Sequence, residues 1–273
     1  MMRSIFQLII TFLFIMSVNT AVAADVLNVK IACFCDESGM AAMGAKQGLD
    51  EANLQGDFLG QKYSLEFLDP ETPKKVSDVT AILATMDESG LKELAKLNPD
   101  VPVINLTNEA DSLREKCISN LFHTIPSERM RADAVAQWKQ KHPESKAVAA
   151  NWNSDFRKYA ASQVNKRFKD LHEGTPMDDQ SYSGWIAVKI LSDAVVRTGS
   201  NDGKTLIPFF KTDLVVDGAK GLKMTFRETG QLRQMLLLVE DGKVVGEAPV
   251  RGVVDTTNLD SLGILECSGC KEK

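Results

Sequence analysis

Five short apolar segments crowded into the first half of the chain constrain its architecture more than any other feature. Residues 27–35 alternate at first, with Val29, Ile31 and Cys33 on one side, and then run apolar; residues 63–68 stop at Asp69-Pro70; residues 79–85, 101–106 and 121–125 follow. Runs of this length and makeup, bounded by turn-forming residues, read as strands. Between the first two, Ala42, Ala45, Leu49 and Ala52 recur at helical spacing. Strand, helix, strand is the pattern of a parallel pair with its covering crossover, so the expected class is α/β, a parallel sheet with flanking helices. Ser89 stands as the N-cap of a helix carrying Leu91, Leu94 and Ala95 and ending at Asn98-Pro99. Ser127 caps another, with Met130, Ala134 and Trp138 inward.

The second half is richer in long helices. Residues 154–171 place Phe156, Ala160, Val164 and Phe168 on one stripe, and residues 182–197 are apolar nearly all round, which predicts a buried helix. A short amphipathic segment reaches Phe210, and residues 223–226 read as a strand. Residues 235–239 and 244–245 flank Glu240-Asp241-Gly242-Lys243, where Asp-Gly marks a hairpin turn.

The N-terminus carries Arg3, an apolar run over residues 5–16 and then Ala21-Val22-Ala23, the layout of a secretory signal peptide with an A-x-A cleavage site. The run is too short for a membrane span, and no cysteine near the cleavage site offers a lipid anchor, so no membrane insertion is expected after cleavage. The mature chain, about 250 residues, is long enough for a sizeable core. Without residues 1–24 it has 31 Lys+Arg against 37 Asp+Glu. That mild acidity, with no basic cluster, argues against a nucleic-acid partner.

Cys33, Cys35, Cys117, Cys267 and Cys270 are expected to meet an oxidising compartment, where disulfides form and an odd count leaves one thiol over. Cys33-x-Cys35 with Cys267-x-x-Cys270 is alternatively a four-thiolate metal site.

Catalytic signatures are absent: the sequence has no Gly-x-Ser-x-Gly, no His-Glu-x-x-His and no phosphate-cradling glycine loop, and His123, His142 and His172 stand alone. Acidic residues cluster after strand ends, at Asp36-Glu37, Asp87-Glu88 and Glu109 with Asp111. In parallel sheets ligands dock outside the carboxyl ends of strands. Such acids equally favour helix N-termini as solvated charges. If they converge, they suit a cationic or polyol ligand or a metal better than an anion. Ser89-Gly90 would offer backbone N–H groups, and Thr107 and Asn108 short polar side chains, although simple capping explains Ser89 as well. Trp152, Tyr159, Tyr182 and Trp185 surround the junction of the two halves, as cleft lining or as core.

Several of these segments together resemble a known family. Pro102-Val103-Ile104-Asn105-Leu106-Thr107-Asn108 and Phe122-His123-Thr124-Ile125-Pro126-Ser127 are similar to the first lobe of type I periplasmic binding proteins of the branched-chain-amino-acid class. Tyr182-Ser183-Gly184-Trp185, through Arg197-Thr198-Gly199-Ser200, resembles a helix placed in their second lobe. A subgroup associated with pyrroloquinoline-quinone-dependent alcohol dehydrogenase systems is suggested by Phe58-Leu59-Gly60-Gln61-Lys62-Tyr63, by Cys117 ahead of Asn120-Leu121-Phe122, by Gly230-Gln231-Leu232-Arg233-Gln234 and by residues 257–263.

The resemblance implies a type I periplasmic-binding-protein-like fold: a signal peptide over 1–23, a first α/β lobe over 24–145 and a second lobe over 146–273. That second lobe is read as reduced, since residues 146–150 lead almost at once to Asn151-Trp152-Asn153. Little chain separates Asp69 from Val79 where a crossover helix is usual, so that helix is lost or the strands connect differently. Function follows as an expectation: a periplasmic component of an ABC-type transport system that binds a small molecule, partnered by an ABC permease or a periplasmic quinoprotein dehydrogenase, without enzymatic activity, cofactor or metal.

The implied ligand residues are Asp36, Asp87, Ser89, Gly90, Thr107 and Asn108, with Tyr182 from the second lobe. Asp87 and Glu88 stand where small neutral residues are expected and would repel a carboxylate, so a branched-chain amino acid is not the expected ligand. The subgroup also implies a disulfide from Cys117 to Cys267 or Cys270. Cys33 and Cys35, close in sequence, are not expected to bridge each other. Two alternatives remain: an accessory protein that keeps the scaffold without the cleft, and a thiol-redox or metal-handling protein using Cys33, Cys35, Cys267 and Cys270.

Overall fold

A computed structural model describes residues 26–265. The expected signal peptide, Cys267 and Cys270 lie outside the described residues. Five strands, β1 (Leu27–Phe34), β2 (Gln61–Leu68), β3 (Ala81–Ala84), β4 (Val103–Asn105) and β5 (Leu121–His123), form one sheet in the order β2-β1-β3-β4-β5. Every neighbouring pair in it is parallel.

Side chains alternate across this sheet as a pleat requires. Ile31, Cys33, Leu83, Ile104 and Phe122 face one core, while Ala32, Phe34, Ile82, Val103 and Leu121 face another. The first core is covered by α1 (Met40–Leu59) and α6 (Asp179–Thr198); the second by α2 (Glu88–Leu97) and α3 (Asp111–Glu115), the latter not foreseen in the sequence. Burial on both faces explains why β3, β4, β5 and the end of β1 read as apolar runs, whereas β2 at the sheet edge alternates. Each fully buried Ile, Leu or Phe contributes about 1.5–3 kcal/mol.

Residues 69–80 join β2 to β3 without a helix, yet β3 still lies parallel to β1. The crossover helix is therefore missing and the topology is kept.

A second sheet, β10-β9-β6, pairs β6 (Val148–Ala150), β9 (Leu236–Glu240) and β10 (Lys243–Ala248) antiparallel. Asp241 (φ 50°) and Gly242 (φ 77°) turn the β9–β10 hairpin, with the two positive φ angles that a two-residue hairpin loop of type I′ needs. Met130 and Ala134 of α4 (Glu128–Lys139) pack on this sheet with Ala149, Leu236 and Leu238. A third element pairs β7 (Val216–Asp217) with β8 (Lys223–Met224). The helices α5 (Ala161–Leu171) and α7 (Gly203–Thr212) complete the fold.

The α5 helix starts later than the sequence pattern suggests. Asn153 Oδ1 accepts from the Asp155 N–H at 2.8 Å, and Tyr159 takes φ 54°, so residues 154–160 turn instead of coiling; Val164 and Phe168 keep the buried stripe. The α6 helix is buried all round as expected, and Asp178 and Ser181 form its capping box.

The sequence places α6 in the second lobe, but it lies directly on α1. A Cβ on Gly44 would stand 1.7 Å from the Ser181 carbonyl oxygen, and one on Gly184 2.0 Å from that of Ala41. The two helix backbones touch because both positions are glycine. One continuous core thus runs from Val29 to Leu259, across the expected lobe boundary at 145/146.

A candidate solute site at the sheet junction

The strand order reverses direction between β1 and β3, the switch point at which parallel sheets usually receive ligands. Asp36 follows β1, Asp87 follows β3, and Thr107 and Asn108 follow β4, so the sheet brings these residues to one edge. Their polar groups, however, are largely bonded to neighbouring residues of the same loops. Asp36 is exposed and accepts from the Ser38 N–H at 3.0 Å and the Ser38 hydroxyl at 2.8 Å. These bonds, the backbone one first, hold its carboxyl below the usual range.

Asp87, not Ser89, caps α2. Its Oδ1 accepts from the Gly90 N–H at 2.7 Å and from the Ser89 hydroxyl at 3.0 Å, and these donors lower its pKa in that order. Ser89 lies two residues further on, already inside the helix, whereas Asp87 stands at the boundary from which a side chain meets the free N–H groups. The donors expected to greet a ligand at Ser89-Gly90 are thereby committed.

Asn108 is equally occupied: its Oδ1 accepts from the Ala110 N–H at 3.1 Å, and its N–H and that of Thr107 donate to Asn105 Oδ1 at 2.9 and 3.2 Å. Glu109 does not add free charge to the rim, because Arg131 grips it through Nε and Nη2 at 2.9 and 2.8 Å and reaches Asp179 at 2.8 Å. The clefts lined by Trp138 and Tyr159, by Lys30 and Asp202, by Arg129 and Asp260, and by Phe156 and Val245 do not include Asp36, Asp87, Ser89, Gly90, Thr107 or Asn108.

Tyr182, the expected second-lobe contact, does not face open space. It is fully buried, stacked on Trp152 with ring centres 4.5 Å apart at 9°, and its hydroxyl donates to the Gly218 carbonyl at 2.9 Å. The first turn of α6 packs against the chain after β6, where the Trp152 N–H donates to Asp179 at 2.8 Å, so the ring is enclosed in this structure. Trp152 and Trp185 are buried too, while Tyr159 is exposed.

Cysteine pairing also departs from expectation: Cys33 and Cys35 are bonded to each other. Residues two apart on a strand face the same way, and because β1 ends at Phe34 the chain bends and brings the two Cα atoms to 5.4 Å, within disulfide reach. Neither sulfur is then a free thiolate for a metal, and no group of three or more His, Cys, Asp and Glu among the described residues could hold one. Cys117 is disulfide-bonded. The partners the sequence offers it are Cys267 and Cys270.

Residues that the sequence marked only as a motif of resemblance sit where the two sheets meet. Residues 230–234 run beside β5: His123 N–H donates to the Gly230 carbonyl at 2.8 Å and Leu232 N–H to the His123 carbonyl at 3.0 Å. Gly230 (φ 77°) is obligatory, since a Cβ there would lie 2.2 Å from the Leu121 carbonyl oxygen. Gln231 donates to the carbonyls of His123 and Ile125 and accepts from buried Arg114, and Gln234 donates to the Thr124 carbonyl at 2.8 Å. Asn151, just after β6, donates to the hydroxyl of Ser183 at 3.2 Å. The segment then enters β9, so one stretch of chain bonds the first sheet and leads into the second.

Into this junction projects Lys220, 1% exposed. Its Nζ donates at 3.1 Å to each of three oxygens, Asn151 O, Asn151 Oδ1 and Gln234 Oε1, and lies 4.5 Å from the centre of the Tyr182 ring. Burial pushes its amine down to about 7, against the pull of Asp179. A lysine in a Gly-Ala-Lys-Gly turn gives no sign in sequence of being buried.

The histidines make no acid–base pair. His123 is buried, which holds its pKa well below the usual value; its Nδ1 accepts from Asn105 at 3.0 Å and its Nε2 has no partner. His142 stacks on Trp138, and His172 meets the Met43 carbonyl.

No family model matches the sequence, and no curated protein matches it. Solved structures do match in fold. A branched chain amino acid ABC transporter periplasmic ligand-binding protein from Burkholderia xenovorans LB400 superposes with a TM-score of 0.67 at 13% identity, covering 81% of this chain and 95% of its own. A periplasmic binding protein from Burkholderia mallei gives 0.66 at 12% identity, covering 91% and 100%. The branched-chain amino acid transporter substrate binding protein LivJ from Streptococcus pneumoniae, in complex with isoleucine, gives 0.60 at 10% identity, covering 82% and 99%. With nearly all of each neighbour matched, these likenesses do not show a shortened second lobe. They do show the architecture: this chain has the type I periplasmic-binding-protein-like α/β fold.

Proposed function

We propose that the chain is the exported solute-binding component of an ABC-type transport system, working in the periplasm, carrying a small molecule to a permease and catalysing nothing. The observation that carries this reading is the fold likeness to substrate-binding proteins over four fifths or more of the chain. Two features of the site support it. The strand ends at the switch point collect Asp36, Asp87, Thr107 and Asn108, and the junction of the sheets holds a preformed set of acceptors around Lys220. In this reading the rim makes the first ligand contacts and its acids disfavour anions. The antiparallel, three-stranded second sheet supports a reduced second lobe and a shallower, wetter site.

The link to quinoprotein alcohol oxidation is the finer part of the proposal and rests on the motif resemblance, residues 230–234 above all. A thermal-shift screen of the exported protein against alcohols, aldehydes, carboxylates and amines tests the first part, because a ligand of the native state raises its melting temperature by mass action. At least one solute should do so; a flat response across the screen refutes solute binding. Disrupting the gene should slow growth on short-chain alcohols but not on sugars, and equal growth on both would remove the quinoprotein link.

A further inference from the structure

The ammonium of Lys220 is held by uncharged partners alone. Three oxygens and one aromatic face surround it, and among the described residues no carboxylate lies within ion-pair distance of Nζ. Buried cations that serve stability are ordinarily paired with an anion. Neutral acceptors plus a ring face are instead the chemistry by which proteins recognise an ammonium ligand.

The cage is also built without the residue that fills it. Asn151 Nδ2 is bonded to the Ser183 hydroxyl at 3.2 Å and the Thr124 carbonyl at 3.4 Å, and Gln234 Nε2 to that same carbonyl. Tyr182 is fixed by its stack on Trp152. These groups flank β6 and β9 of the second sheet and lie on α6. Only the cation comes from elsewhere, from the turn between β7 and β8.

That turn is held by side-chain burial, with Val216, Ala219 and Met224 in the core, and not by a wider sheet. The two strands are two residues each and pair only with each other. Ala219 takes φ 61° and Gly221 φ 87°, and the Tyr182 hydroxyl latches the Gly218 carbonyl. Beside it lies a cleft of about 410 Å³, lined in part by Tyr159, Leu222 and Met235, so the loop borders open space.

We propose that Asn151, Tyr182 and Gln234 form an ammonium-binding site, and that the β7–β8 hairpin is a plug that fills it with Lys220 until a primary amine takes the lysine's place. That the incoming amine is the transported solute rests on the solute-binding reading; the cage and its plug do not. Because the buried amine titrates near neutrality, part of the population presents an uncharged Lys220, which the cage holds less well.

Two experiments decide it. Lys220→Ala deletes three methylenes and the amine, the outline of n-propylammonium. Propylammonium should raise the melting temperature of this variant by several degrees more than the uncharged isostere 1-propanol does, with no such difference in the wild type. An equal response to both compounds overturns the ammonium site. If the variant does not fold alone, recovery on refolding with propylammonium but not with propanol supports the site.

The second experiment uses the wild type, where folding is not in question. Reductive dimethylation of Lys220, followed by mass spectrometry, should proceed at a rate independent of urea below the unfolding transition, because the plug opens locally. A rate that climbs with urea in step with global unfolding would make Lys220 a fixed part of the core and overturn the plug. Should the wild type bind an amine-free solute while Lys220 stays protected, the plug falls and the transport reading stands.

Discussion

Replacing Gly44 by alanine inserts one methyl group into the contact between α1 and α6, and the structure gives the size of the collision. The new Cβ would stand 1.7 Å from the Ser181 carbonyl oxygen. A carbon and a carbonyl oxygen rest at roughly 3.3 Å or more, so about 1.6 Å must be found. The obstacle is backbone inside a helix, with no rotamer to yield. Moving α6 away would open gaps along the buried face that runs from Ser181 to Val195. A radial gap of about 1 Å already forfeits up to about half of a dispersion contact. Overpacking of this kind costs about 1–3 kcal/mol, and the rigid partner puts Gly44 at the upper end. Alanine returns about 1 kcal/mol as the better helix former. The net loss is therefore about 2 kcal/mol, or a fall of about 4–8 °C in melting temperature for a chain of this size. Urea unfolding should show a lower midpoint at an unchanged slope. Gly90→Ala is the milder comparison, since its Cβ would meet Asp87 Oδ1 at 3.1 Å and Met86 Cβ and Sδ at 3.2 Å, a few tenths of an ångström too close, and it should lose less stability than Gly44→Ala. A Gly44→Ala protein as stable as the wild type, or more so, would mean that helix propensity outweighs the contact and that α1 and α6 are not locked backbone to backbone.

Four further outcomes follow from particular groups. Lys220 faces Tyr182, feels Asp179 and Arg131, and titrates near 7 when folded against 10.5 when exposed. Below pH 7 both states are protonated and its burial penalty is complete, and the penalty is relieved as pH rises to 10.5, at about 1.4 kcal/mol per pH unit. Relative to Lys220→Met, wild-type stability from urea titrations should thus gain several kcal/mol between pH 7 and 10, and parallel profiles would contradict this. Arg227 donates to the carbonyls of Leu259, Leu262 and Gly263 at 2.7–2.9 Å, so Arg227→Met should bring early proteolytic cleavage within 255–265; an unchanged digestion pattern would show that other contacts hold the segment. Non-reducing peptide mapping should find one peptide with Cys33 and Cys35 bonded internally, and Cys117 joined to Cys267 or Cys270; alkylated Cys117 would refute the latter. Intact mass of the exported protein should place its first residue near Ala24, and retention of residues 1–23 would count against export by cleavage.

The sequence by itself determined the parallel sheet, its flanking helices and the burial of α6. These rest on hydrophobic periodicity, a local property that a parallel sheet with two covered faces makes strong. The β9–β10 turn was legible for the same reason, because Asp241-Gly242 meets a backbone requirement within two residues.

What failed depended on neighbours distant in sequence. Ser89 looked like a cap until Asp87 was seen to reach Gly90 first, and the enclosure of Tyr182 by Trp152 and Gly218 had no local signal. Cys33 and Cys35 bridge because β1 ends between them. The acids of the rim seemed free charges, yet Arg131 arrives from α4 to neutralise Glu109. Lys220 had no local signal at all: its burial comes from Asn151, 69 residues before it, and Gln234, 14 after it. A polar side chain's role is set by which donors and acceptors surround it, and that is fixed only when separate segments pack. Periodicity therefore revealed the layers, and only the tertiary structure decided what lies between them.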